Sequence, residues 1–148
     1  MTRVLVIDDD PMVGKTLVDL LGLHGYPATR AESGEKGLEA LAHDGFDLVL
    51  LDLRLPGMSG FETCERMREA HGPSLPVIMM TAFGDPVAVR RGYEAGADDF
   101  LNKPVDTPAL ILKVRVFLRL KSLHDELARS REEAQARARD LAQLHEIG

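Results

Sequence analysis

Apolar residues gather in short runs over the first two-thirds of the chain. The runs are Val4-Leu5-Val6-Ile7, a weaker Ala28-Thr29-Arg30-Ala31, Leu48-Val49-Leu50-Leu51, Val77-Ile78-Met79-Met80 and Phe100-Leu101. The first, third and fourth are apolar without interruption and are bounded by polar or turn residues, the pattern of strands covered on both faces. Between them the period lengthens to that of helices. Residues 11–23 set Met12, Thr16, Leu20 and Leu23 on one stripe, and Pro11 suits a first helical turn. Ser33 is placed to cap a helix carrying Leu38 and Leu41. Phe61, Cys64, Met67 and Arg68 mark a third helix ending at Gly72-Pro73, and residues 85–95 mark a fourth. Strand and helix alternating at this spacing predict βαβ units, hence an α/β fold with a parallel sheet and helices on both faces.

From Thr107 the pattern changes. No proline follows Pro108 and no glycine intervenes before Gly148, so residues 107–147 are predicted to form one helix. Val116, Leu120, Leu123, Leu127, Ser130, Ala134, Arg137, Leu141 and Leu144 follow alternating steps of four and three, a heptad seam weakened at Ser130 and Arg137. Residues 107–121 are expected to cover the sheet. Beyond Lys121 about 25 helical residues leave the domain, at about 1.5 Å each, as a coiled-coil or inter-domain linker. The division is therefore residues 1–121 as a globular domain and 122–148 as a helical linker.

Composition narrows the function classes. The chain has 148 residues, a one-domain length. It has no apolar run approaching the roughly 18 residues of a membrane span. The N-terminus enters a strand-like run at once, without a secretory leader pattern, and the single cysteine, Cys64, cannot form an intramolecular disulfide. A cytoplasmic address is expected. The net charge of -6 divides into -8 over residues 1–112 and +2 over residues 113–148. The acidic body argues against nonspecific nucleic-acid binding, and the alternating charges of the tail read as a solvated helix face.

Ligand sites in parallel α/β sheets lie beyond the carboxyl ends of the strands. There the sequence places Asp8-Asp9-Asp10 after the first strand, Asp52 after the third, Thr81 after the fourth and Lys103-Pro104 after the fifth. Each alone has an ordinary structural explanation: acidic residues cap helices, a strand-end threonine is commonly structural, and a lysine before proline is commonly at the surface. Together they bring carboxylates, a hydroxyl and an ammonium to one edge. That set suits phosphoryl transfer to a carboxylate. Crowded carboxylates call for a hard cation such as Mg²⁺, a lysine can hold phosphoryl oxygens, and an ionised aspartate is a competent nucleophile.

These residues resemble the receiver domain of bacterial response regulators, of the chemotaxis-Y-like fold. The resemblance covers residues 1–121 and rests on Val6-Ile7-Asp8-Asp9, Asp47-Leu48-Val49-Leu50-Leu51-Asp52, Leu55-Pro56-Gly57-Met58-Ser59-Gly60, Thr81-Ala82, Gly96-Ala97-Asp98-Asp99 and Lys103-Pro104. It implies a doubly wound, flavodoxin-like sheet of five parallel strands in the order 2-1-3-4-5, with an extended C-terminal helix. It implies that Asp52 accepts a phosphoryl group from a histidine kinase or phosphotransfer protein. Asp9, Asp52 and the backbone carbonyl of Arg54 would ligate Mg²⁺, with Asp8 acting through bound water, while Lys103 and Thr81 hold phosphoryl oxygens. Phe100 takes the switch-aromatic position; family members often carry Tyr there, and Phe has no hydroxyl to offer a partner. The partners expected are the kinase and a second copy through the C-terminal helix, with no nucleic acid bound by this segment and no membrane.

Other readings are weaker. Gly14-Lys15-Thr16 imitates the end of a phosphate-binding loop, but that motif needs a glycine where Asp9 stands. Phosphatases of the haloacid-dehalogenase type resemble one another in a second aspartate two residues after the nucleophile, where this chain has Arg54. His24, His43, His71, His124 and His145 have no metal-ligand spacing and are expected at the surface or at helix ends. A degenerate receiver that only binds or dimerises is the alternative function. No helix-turn-helix pattern follows residue 121. The ending Leu141-Ala142-Gln143-Leu144-His145-Glu146-Ile147-Gly148 looks similar to the entry of a GAF-type sensory domain, which suggests a fragment of a longer regulator. A free-standing receiver with a helical tail is the other expectation.

Overall fold

The computed structural model describes residues 2–82 and 85–147 of the chain, with side chains described as far as Gln143. The strands are β1 (Val4–Ile7), β2 (Ala28–Ala31), β3 (Leu48–Asp52), β4 (Val77–Ala82) and β5 (Asp99–Lys103). They form one parallel sheet in the order β2-β1-β3-β4-β5. The helices between them are α1 (Pro11–Leu23), α2 (Gly34–His43), α3 (Gly60–His71) and α4 (Pro86–Ala95), and α5 (Thr107–Ile147) follows β5. This is the doubly wound, flavodoxin-like architecture.

The uninterrupted apolar runs are explained by burial on both faces. Along β1, Leu5 and Ile7 turn to the layer of α2, α3 and α4, where they meet Leu41, Cys64 and Met67. Val4 and Val6 turn to α1 and α5, where they meet Leu17, Leu21, Leu110 and Val114. All four strand residues are fully buried, so neither face tolerates the polar half of an alternating pattern.

Helix boundaries follow local chemistry. Asp10 caps α1 by accepting from the amides of Met12 and Val13, ahead of Pro11 in the first turn. Ser33 accepts from the Lys36 amide at 3.1 Å, as expected of its capping role. Asp85 caps α4 before Pro86, and α3 ends at Gly72. Arg68, placed on the apolar stripe of α3 by its spacing, is half-buried because its guanidinium is satisfied. It donates to the carbonyls of Gly72, Leu75 and Gly96 and to the Asp98 carboxylate.

The expected inward stripe of α1 is corrected. Met12 and Leu23 are 80% and 81% exposed, and Thr16 also faces solvent. The buried face is Gly14, Leu17 and Leu21, with Leu20 only partly covered. Apolar residues surround most of this helix, so its period admits several inward faces. The choice follows from the sheet, which presents Val4 and Val6 to Leu17 and Leu21, and from the close approach of the Arg30 stem at Gly14.

Helix α5 has 41 residues and is about 60 Å long at the usual helical rise. Leu110, Ile111 and Val114 are buried on the sheet and Phe117 and Leu118 partly so. Past them the helix runs largely in solvent. Val116, Leu120, Leu123 and Leu127 are 45–53% exposed and Leu141 67%. Ser130, Ala134 and Arg137 are exposed too, whereas the side chains of Leu144 and His145 lie outside the described residues, as does Gly148.

The corrected face of α1 makes a direct prediction. Leu17→Ala should cost about 3 kcal/mol in urea unfolding, because it empties a buried position. Met12→Ala should change stability by no more than about 0.5 kcal/mol. Comparable losses for the two variants would restore the stripe expected from spacing alone.

Candidate functional site

The parallel direction of β1, β3, β4 and β5 delivers their carboxyl ends to one edge. Asp8, one residue past β1, is fully buried, while Asp9 is exposed. Asp52 closes β3 and is 6% exposed, and Thr81 within β4 is 7% exposed. Both β4 and β5 run further than their apolar cores, so Thr81 and Lys103 stand inside the last rungs of the sheet. Gly60 opens α3 against this edge: a side chain there would collide with the backbone of Asp52 and Leu53. The absence of a Cβ lets the helix start close to the β3 end.

Lys103 organises the site. Its Nζ donates to Asp8 Oδ2 at 2.8 Å and to Asp52 Oδ2 at 2.9 Å, joining β5 to β1 and β3. The other oxygens are also engaged. Asp8 Oδ1 accepts from the Asp10 amide at 2.9 Å, and Asp52 Oδ1 accepts from the Arg54 amide at 3.2 Å. One oxygen from each of Asp8, Asp9 and Asp52 falls within 4.8 Å of the others. These are hard, anionic oxygens in a crevice that holds the Lys103 ammonium. That donor set fits a hard divalent cation with retained waters.

Burial pushes the Asp52 carboxyl above its ordinary value, and the charge of Asp8 adds to that. The hydrogen bond and charge of Lys103, and the Arg54 amide, pull the other way without cancelling it. At Lys103 burial alone would lower the ammonium's pKa. Its hydrogen bonds to Asp8 and Asp52 outweigh that, and the value is raised. The lysine is therefore held charged between its two carboxylates.

Two of the expected residues stand apart from this ion cluster. The Thr81 hydroxyl donates to the carbonyl of Ala82 at 3.0 Å, and no hydrogen bond joins it to Asp52 among the described residues. Phe100 is half-buried under α4, with its ring 5.0 Å from that of Tyr93 in an edge-on arrangement. It fits against Gly92, where any side chain would strike the Phe100 ring.

Two contacts near the site carry no pattern in the sequence. Lys113 of α5 pairs with Asp99 of β5 across half-buried surface, and Arg30 of β2 hydrogen-bonds to the backbone of the acidic loop. Each is a charged residue whose partner is chosen by tertiary approach. The remaining decoys are inert. Gly14-Lys15-Thr16 lies within α1, with Lys15 paired to Asp19 on its surface. His24, His43, His71 and His124 are exposed, the first three at helix ends. Burial pushes the Cys64 thiol up to about 11.

Comparison with known proteins agrees with this geometry. The sequence profile of the Response regulator receiver domain matches residues 4–115. The chain is 38% identical over 120 residues to the DNA-binding dual master transcriptional regulator RpaA of Synechocystis sp., covering 80% of this chain and 50% of that protein. It is 41% identical over 117 residues to the DNA-binding response regulator MtrA of Mycolicibacterium smegmatis, covering 79% and 50%. The chain thus spans about half the length of these relatives. Among solved structures, it is similar to a CheY-like response regulator receiver domain protein from Methanospirillum hungatei JF-1. The TM-score is 0.79 at 28% identity, covering 84% of this chain and 98% of that one.

The raised carboxyl of Asp52 has a consequence for stability. The folded protein binds this proton more tightly than the unfolded chain. The resulting stabilisation is complete below the ordinary carboxyl value of 3.8 and is lost as pH rises through the raised value. Asp52→Asn removes the buried charge, so at pH 7 without divalent cations it should raise Tm by about 3 °C, the effect of about 1 kcal/mol in a domain of this size. The gain over wild type should shrink toward pH 4. Thermal unfolding of both proteins across that range checks the sign, and a destabilised variant at pH 7 would contradict it.

Proposed function

The chain belongs to the response regulator receiver domain family, and on that premise we propose that Asp52 accepts a phosphoryl group from a histidine kinase or phosphotransfer protein. The observation that carries this reading is the position of Asp52. It lies at a strand end, bound to Lys103 and within reach of a second and third carboxylate. In the transfer, a carboxylate oxygen of Asp52 attacks phosphorus, the P–N bond of the phosphohistidine breaks, and the bonding pair leaves with the donor imidazole. The residues assigned to Mg²⁺ are Asp9, Asp52 and the Arg54 carbonyl, with Asp8 acting through water. When bound, the cation neutralises the crowded carboxylates and the phosphoryl oxygens.

The chain's own residues orient the reaction. Lys103 keeps Asp52 directed into the crevice and holds a phosphoryl oxygen once one is present. The Thr81 hydroxyl turns from the Ala82 carbonyl to donate to another. That rotation removes bulk near Phe100, which swings inward from its place against Tyr93. The protein thereby changes the surface of α4, β5 and α5, and catalyses only its own phosphorylation and dephosphorylation. The Lys113–Asp99 ion pair ties β5 to α5, so a displacement of the strand reaches the helix.

We assign residues 1–121 to the receiver and 122–148 to a helical linker that dimerises as a parallel coiled coil. Support comes from the seam of Val116, Leu120, Leu123, Leu127 and Leu141, which stays 45–67% exposed. A single helix of this kind is marginal in water, and a second copy buries the seam. No nucleic-acid contact is assigned to this segment, whose body carries most of the acidic charge. We assign it to the cytoplasm, a reading supported by the proposed kinase partner and by the single free cysteine, Cys64. No described helix is long and apolar enough to cross a membrane.

Three experiments test this reading. Labelling from acetyl phosphate with Mg²⁺ should be stoichiometric in the wild type and absent from Asp52→Asn, and beryllofluoride with Mg²⁺ should shift amide resonances around Thr81 and Phe100. Undiminished labelling of the variant would place the acceptor elsewhere, and a spectrum silent to beryllofluoride would favour a binding-only receiver. For the tail, sedimentation should show a dimer of the full chain and a monomer after truncation at Lys121, with the truncated form still accepting phosphate. Monomers in every state at micromolar concentration would rule the coiled coil out.

A further inference from the structure

Arg30 is the penultimate residue of β2, level with Val6 of β1, and its side chain finishes on the acidic loop. Its Nε donates to the carbonyl of Asp8 at 3.0 Å and its Nη2 to the carbonyl of Asp9 at 3.1 Å. The stem reaches them by crossing α1 at Gly14. A Cβ on Gly14 would collide with Cδ and Nε of Arg30. Glycine inside a helix weakens it relative to alanine, and here the slot it leaves is occupied by one particular side chain. This accounts for Gly14, which the phosphate-loop imitation left unexplained.

The loop is tied to β2 from two directions. The Asp8 amide donates to the Ala31 carbonyl at 3.1 Å, while Arg30 takes the carbonyls of Asp8 and Asp9. Two adjacent peptide planes are thereby fixed, and with them the starting directions of the Asp8 and Asp9 side chains. The guanidinium is a charged donor, and its hydrogen bonds to the carbonyls are stronger than those of a neutral group. It also sets a positive charge behind a loop of three successive aspartates, without occupying a carboxylate oxygen that a cation needs.

We propose that Arg30 is a positioning residue for the cation site, holding the Asp8–Asp9 backbone through the slot at Gly14 and so setting Mg²⁺ affinity from outside the ligand set. The proposal rests on the reading that Asp9 and Asp52 hold Mg²⁺, with Asp8 beside them. Residues that orient metal ligands commonly change affinity by about 10- to 100-fold when removed. Arg30→Ala should therefore weaken Mg²⁺ binding about 10-fold, and Arg30→Lys, which keeps the charge but loses the two-pronged donor, should recover only part of it.

The test is a Mg²⁺ titration of the full chain, followed by the amide resonances of residues 8–10 and 52–54. It compares wild type, Arg30→Ala, Arg30→Lys, Gly14→Ala and the Gly14→Ala/Arg30→Ala pair. Gly14→Ala should displace the arginine and weaken binding in the wild-type background, but add nothing once Arg30 is alanine. A second readout needs no metal: hydrogen exchange at the Asp8 amide should accelerate in Arg30→Ala while the amides of β3 and β4 keep their protection. Equal Mg²⁺ affinity in wild type and Arg30→Ala, or additive effects of the two substitutions, overturns the proposal. A wild type that binds no Mg²⁺ overturns the cation reading instead, and unchanged exchange at Asp8 then rejects the loop-holding role as well.

Discussion

The site depends on how three carboxylates are tolerated at the end of a buried parallel sheet. Asp8 has no exposed surface and Asp52 almost none, so neither charge is relieved by water. Among the described residues a single ammonium, that of Lys103, reaches both. Because its partners close β1 and β3 while it closes β5, this ion pair network also ties three strands at their functional ends. Removing Lys103 would leave two buried carboxylates without their counter-charge, which costs far more than the network contributes when intact. The crevice is thus held poised, with anionic oxygens in excess and one cation fixed among them.

A second constraint concerns where burial stops. The sheet offers α5 a seat only as far as Val114, with partial cover to Phe117 and Leu118. The same helix continues for about thirty residues on backbone hydrogen bonds and exposed leucines. The receiver and the tail are consequently one rigid element at their junction and two different physical problems on either side of it. Burial holds the first part in place, whereas the leucines of the second gain no cover from the sheet. The Lys113–Asp99 pair sits on the buried side of that junction, next to Phe100 in β5.

Much of this was legible in the chain. The uninterrupted runs at Val4–Ile7 and Leu48–Leu51 mark strands covered on both faces, because a half-exposed strand would need alternating polar residues. Pro11, Ser33 and Gly72 mark helix ends through local backbone chemistry. Asp8, Asp9, Asp52, Thr81 and Lys103 were found by reading the residue at each strand end, which works because parallel strands all point the same way. The helix from Thr107 was legible from the lack of interior glycine and proline, and the alternating apolar step along it is a local property, independent of what covers it.

The remaining features have no signature in linear order. The inward face of α1 was misread because apolar residues lie around most of that helix, and only docking against Val4 and Val6 selects Leu17 and Leu21. Arg30 looked like a weak strand residue, and Gly14 like part of another motif, until the fold brought them into contact. Thr81 was grouped with the carboxylates, but its hydroxyl turns to its neighbour's carbonyl. Sequence by itself determined which segments are strands and helices and which chemical groups meet at one edge, since period and strand direction are local properties. Tertiary structure decided which side chain touches which, because those choices depend on distances between segments far apart in the chain.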